Sequence, residues 1–158
     1  MTEDSVFSSS SREHFERYGY ARLGCILKPD ELDTLKLRIN EIMLGEVKYN
    51  DMLFQLDSED GEYGNAPAAS LGHKGATLAY RKIMGLEVDP VFLKYMQHPL
   101  FQAITEYYIG DEVSIYRAMF MNKPAERGTE LPWHQDVGWG WGVVGDGNMV
   151  TKRDPEPT

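Results

Sequence analysis

A chain of 158 residues, 42% hydrophobic and 26% charged, has the size and composition of one globular domain. Its formal net charge is −9, from 25 acidic against 16 basic residues, and no Lys/Arg cluster reverses that balance locally, so a phosphate backbone is repelled and nucleic acid is disfavoured as a partner. The N-terminal stretch has no basic run leading into an apolar one, and no apolar run reaches the roughly 18 residues of a membrane span, so a cytoplasmic protein without a membrane partner is expected.

Residues 1–11 are polar and serine-rich and read as a disordered lead-in. "REHFERYG" (12–19) reads as a short helix ending at Gly19, and "YARLGCIL" (20–27) as a strand. Cys25, the single cysteine, lies in that apolar stretch and is read as a small buried hydrophobe more than as a reactive thiol. One cysteine allows no internal disulfide and is compatible with a reducing compartment. Pro29, Asp30 and Glu31 suit the start of a helix. Leu32, Leu35, Ile39, Ile42 and Met43 then recur at helical spacing, which predicts an amphipathic helix over 29–44, stopped at Gly45.

Residues 57–76 are rich in glycine, alanine and acids and read as a long loop, a candidate substrate lid. "TLAYRKI" (77–83) has strand character. "DPVFLKYMQ" (89–97) places an Asp cap before Pro and predicts a helix, and "HPLFQAITEYYIG" (98–110) repeats the device. His98 then reads as a helix-start residue, and His14 and His73 as surface or capping histidines. "EVSIYRAMFMN" (112–122) has the strongest strand composition in the chain. After Trp141 the polar, Gly- and Pro-punctuated "VVGDGNMVTKRDPEPT" makes no element. Helices precede strands, the order of an α+β protein whose sheet has hardly begun by residue 158.

One stretch carries chemistry: "ELPWHQDVGWGWG", residues 130–142. On extended chain a His-x-Asp pair places both side chains on one side. His134 and Asp136 can therefore take adjacent positions on one metal ion, and two histidines with one carboxylate form the facial triad of non-haem iron(II) oxygenases. The tripeptide alone has a plainer reading as a polar surface pair. Its context is more specific, since Trp133, Trp139 and Trp141 flank it, with glycines that allow close approach to a ligand.

"SIYRAMFMNKPA" followed by "ELPWHQDVGWGWG", with "YRKIMGLEVDPVFLKYMQHPLF" and "YGYARLGCILKPDELDTLKLRIN" upstream, resembles the phytanoyl-CoA dioxygenase family of iron(II)- and 2-oxoglutarate-dependent oxygenases over roughly residues 13–142. The resemblance implies a double-stranded β-helix, or jelly roll, with helices packed around it. It implies His134 and Asp136 as iron ligands, with Gln135 facing the other way to line the site. Met119 and Asn122 match positions that contact 2-oxoglutarate, and Lys82 matches a basic residue that pairs with it, although Arg81 is adjacent. Each has a plainer reading: Met119 as core, Asn122 as a turn residue, Lys82 as a solvated charge. By alternation, Met119 and Asn122 fall on opposite faces of a regular strand.

The family pattern also needs a second histidine and a carboxylate-anchoring arginine downstream. No histidine follows Asp136, and the sole later arginine is Arg153. The domain reading is thus a lead-in (1–11), the N-terminal part of an oxygenase domain (12–142) and a divergent or truncated tail (143–158), with the barrel incomplete. Two functions compete. One is a dioxygenase, represented here by a truncated form, that hydroxylates a small organic molecule such as an acyl thioester with dioxygen. The other is a non-catalytic small-molecule binding module derived from such an enzyme. Oligomeric state is not legible.

Overall fold

A computed structural model describes residues 7–124 and 128–129. Helix α1 spans Ser9–Tyr18 and begins three residues before the expected start. Ser8 caps it, its Oγ accepting the Ser11 N–H at 3.3 Å, so the serine run that looked like a lead-in supplies the cap. The helix ends at Gly19 in the left-handed region, φ 76°.

Residues 20–27 form no strand. Gly24 adopts φ 70°, which breaks the extended run, and Cys25 is exposed, which overturns the reading of a buried hydrophobe.

Helix α2 is Pro29–Leu44, as the spacing predicts. Glu31 Oε2 accepts the Lys28 N–H at 2.9 Å, and Gly45 closes the helix at φ 77°. A Cβ on Gly45 would lie 2.8 Å from the His73 ring, so the position requires glycine for space as well as for conformation. Only the C-terminal half of the apolar stripe is covered: Ile39, Ile42 and Met43 are buried, whereas Leu32 is exposed.

Four strands make one antiparallel sheet in the order β2-β1-β3-β4: β1 Leu53–Leu56, β2 Ser70–Leu71, β3 Tyr80–Met84 and β4 Met119–Met121. The expected strand over 112–122 contracts to its last residues, because 119–121 pair with 82–84 while 112–118 have no ladder partner among the described residues. The expected long loop contains β2 and a short 3-10 turn at 63–65. It is tied down by Gln55 Nε2 on Pro67 O (2.8 Å) and by His73 Nε2 against Met43 O (3.0 Å). The Tyr80 hydroxyl also donates to Gly75 O at 2.8 Å.

The register puts Phe54, Ile83 and Phe120 side by side on one face. That face packs on Ile39, Ile42 and Met43 of α2, with Met52, Tyr80 and Leu86 completing the core. Ile42, Met52, Tyr80 and Ile83 are fully buried, each aliphatic one contributing about 1.5–3 kcal/mol against exposure. The other face carries Leu53, Met84 and Met119 in one row and Gln55, Lys82 and Met121 in the next.

Helices α3 (Pro90–Met96) and α4 (Pro99–Tyr108) follow, each led by proline. Asp89 caps α3 through Oδ1, which accepts the Val91 and Phe92 N–H groups at 2.9 and 3.1 Å. Its Oδ2 accepts the Tyr49 hydroxyl at 2.8 Å and lies 3.7 Å from Arg38 Nε of α2. His98 caps α4, its Nδ1 accepting the Leu100 N–H at 3.1 Å, as the sequence suggests. The fold is α+β, with an open sheet whose strands do not close into a barrel among the described residues.

Candidate active site

The open face of the sheet holds two of the sequence-derived site residues together. Lys82 stands opposite Met121 on β4, and Met119 lies two residues along on the same face, opposite Met84. Met119 and Met121 are exposed, 38% and 44%, and Lys82 is half-buried. Met119 is therefore not core. Burial, and then the charges of Arg81 and Arg117, push the Lys82 ammonium below its ordinary pKa.

Arg81, the neighbour that could have exchanged roles with Lys82, goes elsewhere. The ladder shifts between Gln55 and Leu56, whose partners are Lys82 and Tyr80, so Arg81 is the extra residue of a bulge. It is 5% exposed, with Nη1 3.9 Å from Asp57 Oδ1.

Asn122 is placed apart from Lys82 and Met119. It follows β4, and its Nδ2 donates to Leu78 O and Tyr80 O at 3.1 and 3.0 Å while its backbone N–H donates to Arg81 O at 2.8 Å. It lines a cavity of about 860 Å³ between α2 and the strand ends, together with Met43, Asp57 and Phe120. The separation follows from alternation, since Asn122 falls on the Phe120 side.

His134, Gln135 and Asp136 lie outside the described residues, as do the three tryptophans and the tail. Among the described residues no group of three or more His, Cys, Asp and Glu comes together to hold a metal. The other histidines have structural contacts. His98 caps α4, His73 bonds Met43 O and receives the Gly75 N–H, and His14 packs on the rings of Tyr18 and Tyr20.

Sequence reasoning missed a buried polar knot at the end of β1. The Thr129 N–H donates to Asp57 Oδ2 at 3.1 Å and its hydroxyl donates to Oδ1. The Ser58 hydroxyl meets that of Thr129 at 2.8 Å. Burial raises the Asp57 pKa, but the Thr129 and Ser58 hydrogen bonds and the Arg81 charge outweigh it and leave the carboxyl below its ordinary range. The partners are 72 residues apart, so no local spacing signals the knot.

The described residues form an α+β frame in which Lys82 and Met119 share one face of the sheet. The family model "Phytanoyl-CoA dioxygenase (PhyH)" matches residues 15–140, and the chain belongs to that family. It is similar to a "Probable phytanoyl-CoA dioxygenase" of Caenorhabditis elegans, 26% identical over 141 residues that cover 85% of this chain and 43% of the relative. It is also similar to "Phytanoyl-CoA dioxygenase, peroxisomal" of Rattus norvegicus, 22% identical over 138 residues that cover 85% of this chain and 38% of that one. The chain thus spans about two fifths of the length of these relatives. No solved structure matches it. Among the described residues no helix is long and apolar enough to cross a membrane.

Proposed function

We propose that this chain forms the iron(II)- and 2-oxoglutarate-binding part of a dioxygenase that hydroxylates a small organic molecule. Membership of the family supports the reading, and one observation in the fold carries it to residues: Lys82 and Met119 share the open face of the sheet. A half-buried ammonium beside thioethers suits a ligand with a carboxylate head and an apolar stem.

In this reading His134 and Asp136 hold the iron, an imidazole nitrogen and a carboxylate oxygen being the donors that suit it, and Gln135 lines the site. Lys82 pairs with the cosubstrate carboxylate and Met119 packs against its carbon chain, while Asn122, whose amide is donated to Leu78 O and Tyr80 O on the opposite face, holds the strand end. Iron(II), when bound, supplies the redox chemistry with dioxygen and 2-oxoglutarate, and the protein orients and encloses the reactants. The sheet becomes the first part of a double-stranded β-helix within an oxygenase domain at 12–142. The relatives' names suggest an acyl thioester as one substrate class. A cytoplasmic location belongs to the same proposal.

A non-catalytic small-molecule binding module derived from such an enzyme is the second reading. Consumption of 2-oxoglutarate with iron(II) and dioxygen separates the two. The enzyme reading expects turnover that His134→Ala or Asp136→Ala abolishes and His98→Ala retains. Equal activity in all three variants contradicts it, and binding of a small molecule without metal or turnover favours the module.

A further inference from the structure

Methionine divides by exposure in this fold. Met43 and Met52 lie in the core, 4% and 0% exposed, whereas Met119 and Met121 stand out at 38% and 44%. β4 is an edge strand of the sheet, and alternation turns both of these methionines onto the face of Lys82. Met121 is the ladder partner of Lys82, so their Cβ atoms are about 4.5–5.5 Å apart and the two flexible side chains can meet. A thioether sulfur is a weak acceptor and asks little of an ammonium. A sulfoxide differs, because it places a polar, strongly accepting oxygen on the same stem. Formed on Met121, that oxygen stands within reach of the Lys82 N–H donors. Formed on Met119, it puts a polar group where an apolar stem would otherwise pack.

We infer that Met121, with Met119 beside it, is an oxidation site that regulates the Lys82 face: hydrogen peroxide converts the thioethers to sulfoxides, and the Met121 sulfoxide oxygen then takes a Lys82 donor that an anionic ligand needs. In the step a sulfur lone pair attacks one peroxide oxygen, the O–O bond breaks, an S–O bond forms and, after proton transfer, water leaves. Sulfur gives up an electron pair and the peroxide is reduced. A methionine sulfoxide reductase with a thiol reductant reverses the change. The regulatory part rests on the reading of Lys82 as the partner of the 2-oxoglutarate carboxylate.

The test treats the metal-free chain with hydrogen peroxide, removes the oxidant with catalase, and adds a thiol reductant so that the exposed Cys25 returns to its thiol. Peptide mass spectrometry locates the added oxygen, and 2-oxoglutarate is titrated against treated and untreated protein with iron(II) restored anaerobically. Met119 and Met121 are expected to oxidise well before Met43 and Met52, with circular dichroism unchanged and 2-oxoglutarate binding about tenfold weaker. Sulfoxide reductase restores the affinity. Met121→Gln, which carries an amide oxygen at a similar reach, is expected to show the weakening without peroxide, and Met121→Leu to lose less affinity on treatment than the parent. Core methionines oxidised as fast as Met121 overturn the site. So does unchanged affinity once Met119 and Met121 are oxidised, or a loss that appears only with unfolding. Binding that is absent from untreated protein, or indifferent there to Lys82→Met, fails the cosubstrate reading instead, and the regulatory part falls with it.

Discussion

Lys82 and Met119 leave the sheet on the same face, one ladder step apart, since Lys82 opposes Met121 and Met84 opposes Met119. The Lys82 ammonium is held below its ordinary pKa by burial and by Arg81 and Arg117. A lysine whose pKa falls on folding destabilises the fold while charged, and that penalty fades as pH rises from the folded towards the unfolded value. Lys82→Met is therefore expected to leave thermal stability at neutral pH equal or higher. It is expected to weaken 2-oxoglutarate binding about tenfold or more, the loss of one charge-assisted hydrogen bond. Melting curves and a ligand titration on one preparation check both signs.

Asp57 has the opposite linkage. Its pKa lies below the ordinary 3.8, so its contribution to stability is complete above the unfolded value and is lost as pH falls through the folded one. Urea unfolding below pH 3.8 is expected to show a shallower loss of stability in Asp57→Asn than in the parent. Asp60, also lowered by the Glu62 N–H and by Asn65, keeps part of the slope in both proteins.

Asn122 donates its amide to two carbonyls at the start of β3. Asn122→Ala is expected to destabilise by about 1–2 kcal/mol. Asn122→Asp is expected to be worse, because a carboxylate would face the same carbonyls with no donor. Denaturant midpoints of the two variants test the order.

Asp89 joins α2, the Tyr49 loop and α3 with one carboxylate. Asp89→Ala removes a helix cap and leaves the half-buried Tyr49 phenol without its acceptor. A loss of about 2 kcal/mol or more is expected, with Tyr49→Phe costing about 1 kcal/mol. Burial and then the Asp89 contacts raise the Tyr49 pKa, so Asp89→Ala should lower the tyrosine titration midpoint at this position.

The helices were the most legible part of the fold. Proline at the first position, Asp89 or His98 before it and Gly19 or Gly45 after it are chemical signals that act within one turn. The strands were less so, because a strand exists only where a partner lies alongside. Residues 112–118 have strand composition without a ladder, whereas Leu53–Leu56 and Ser70–Leu71 pair without advertising it. Within the candidate site, alternation correctly separated Met119 from Asn122. The Asp57–Thr129 hydrogen bonds were invisible, since only the folded chain brings position 57 to position 129.

In the proposed function, His134 and Asp136 hold iron(II) next to a 2-oxoglutarate site on the sheet face that carries Lys82 and Met119. The most direct measurement is anaerobic iron(II) titration with 2-oxoglutarate present, comparing the parent with His134→Ala, Asp136→Ala and His98→Ala. Stoichiometric binding that is lost in the first two variants and kept in the third is the expected result. Binding that persists in His134→Ala and Asp136→Ala, or that is absent from the parent, contradicts the account.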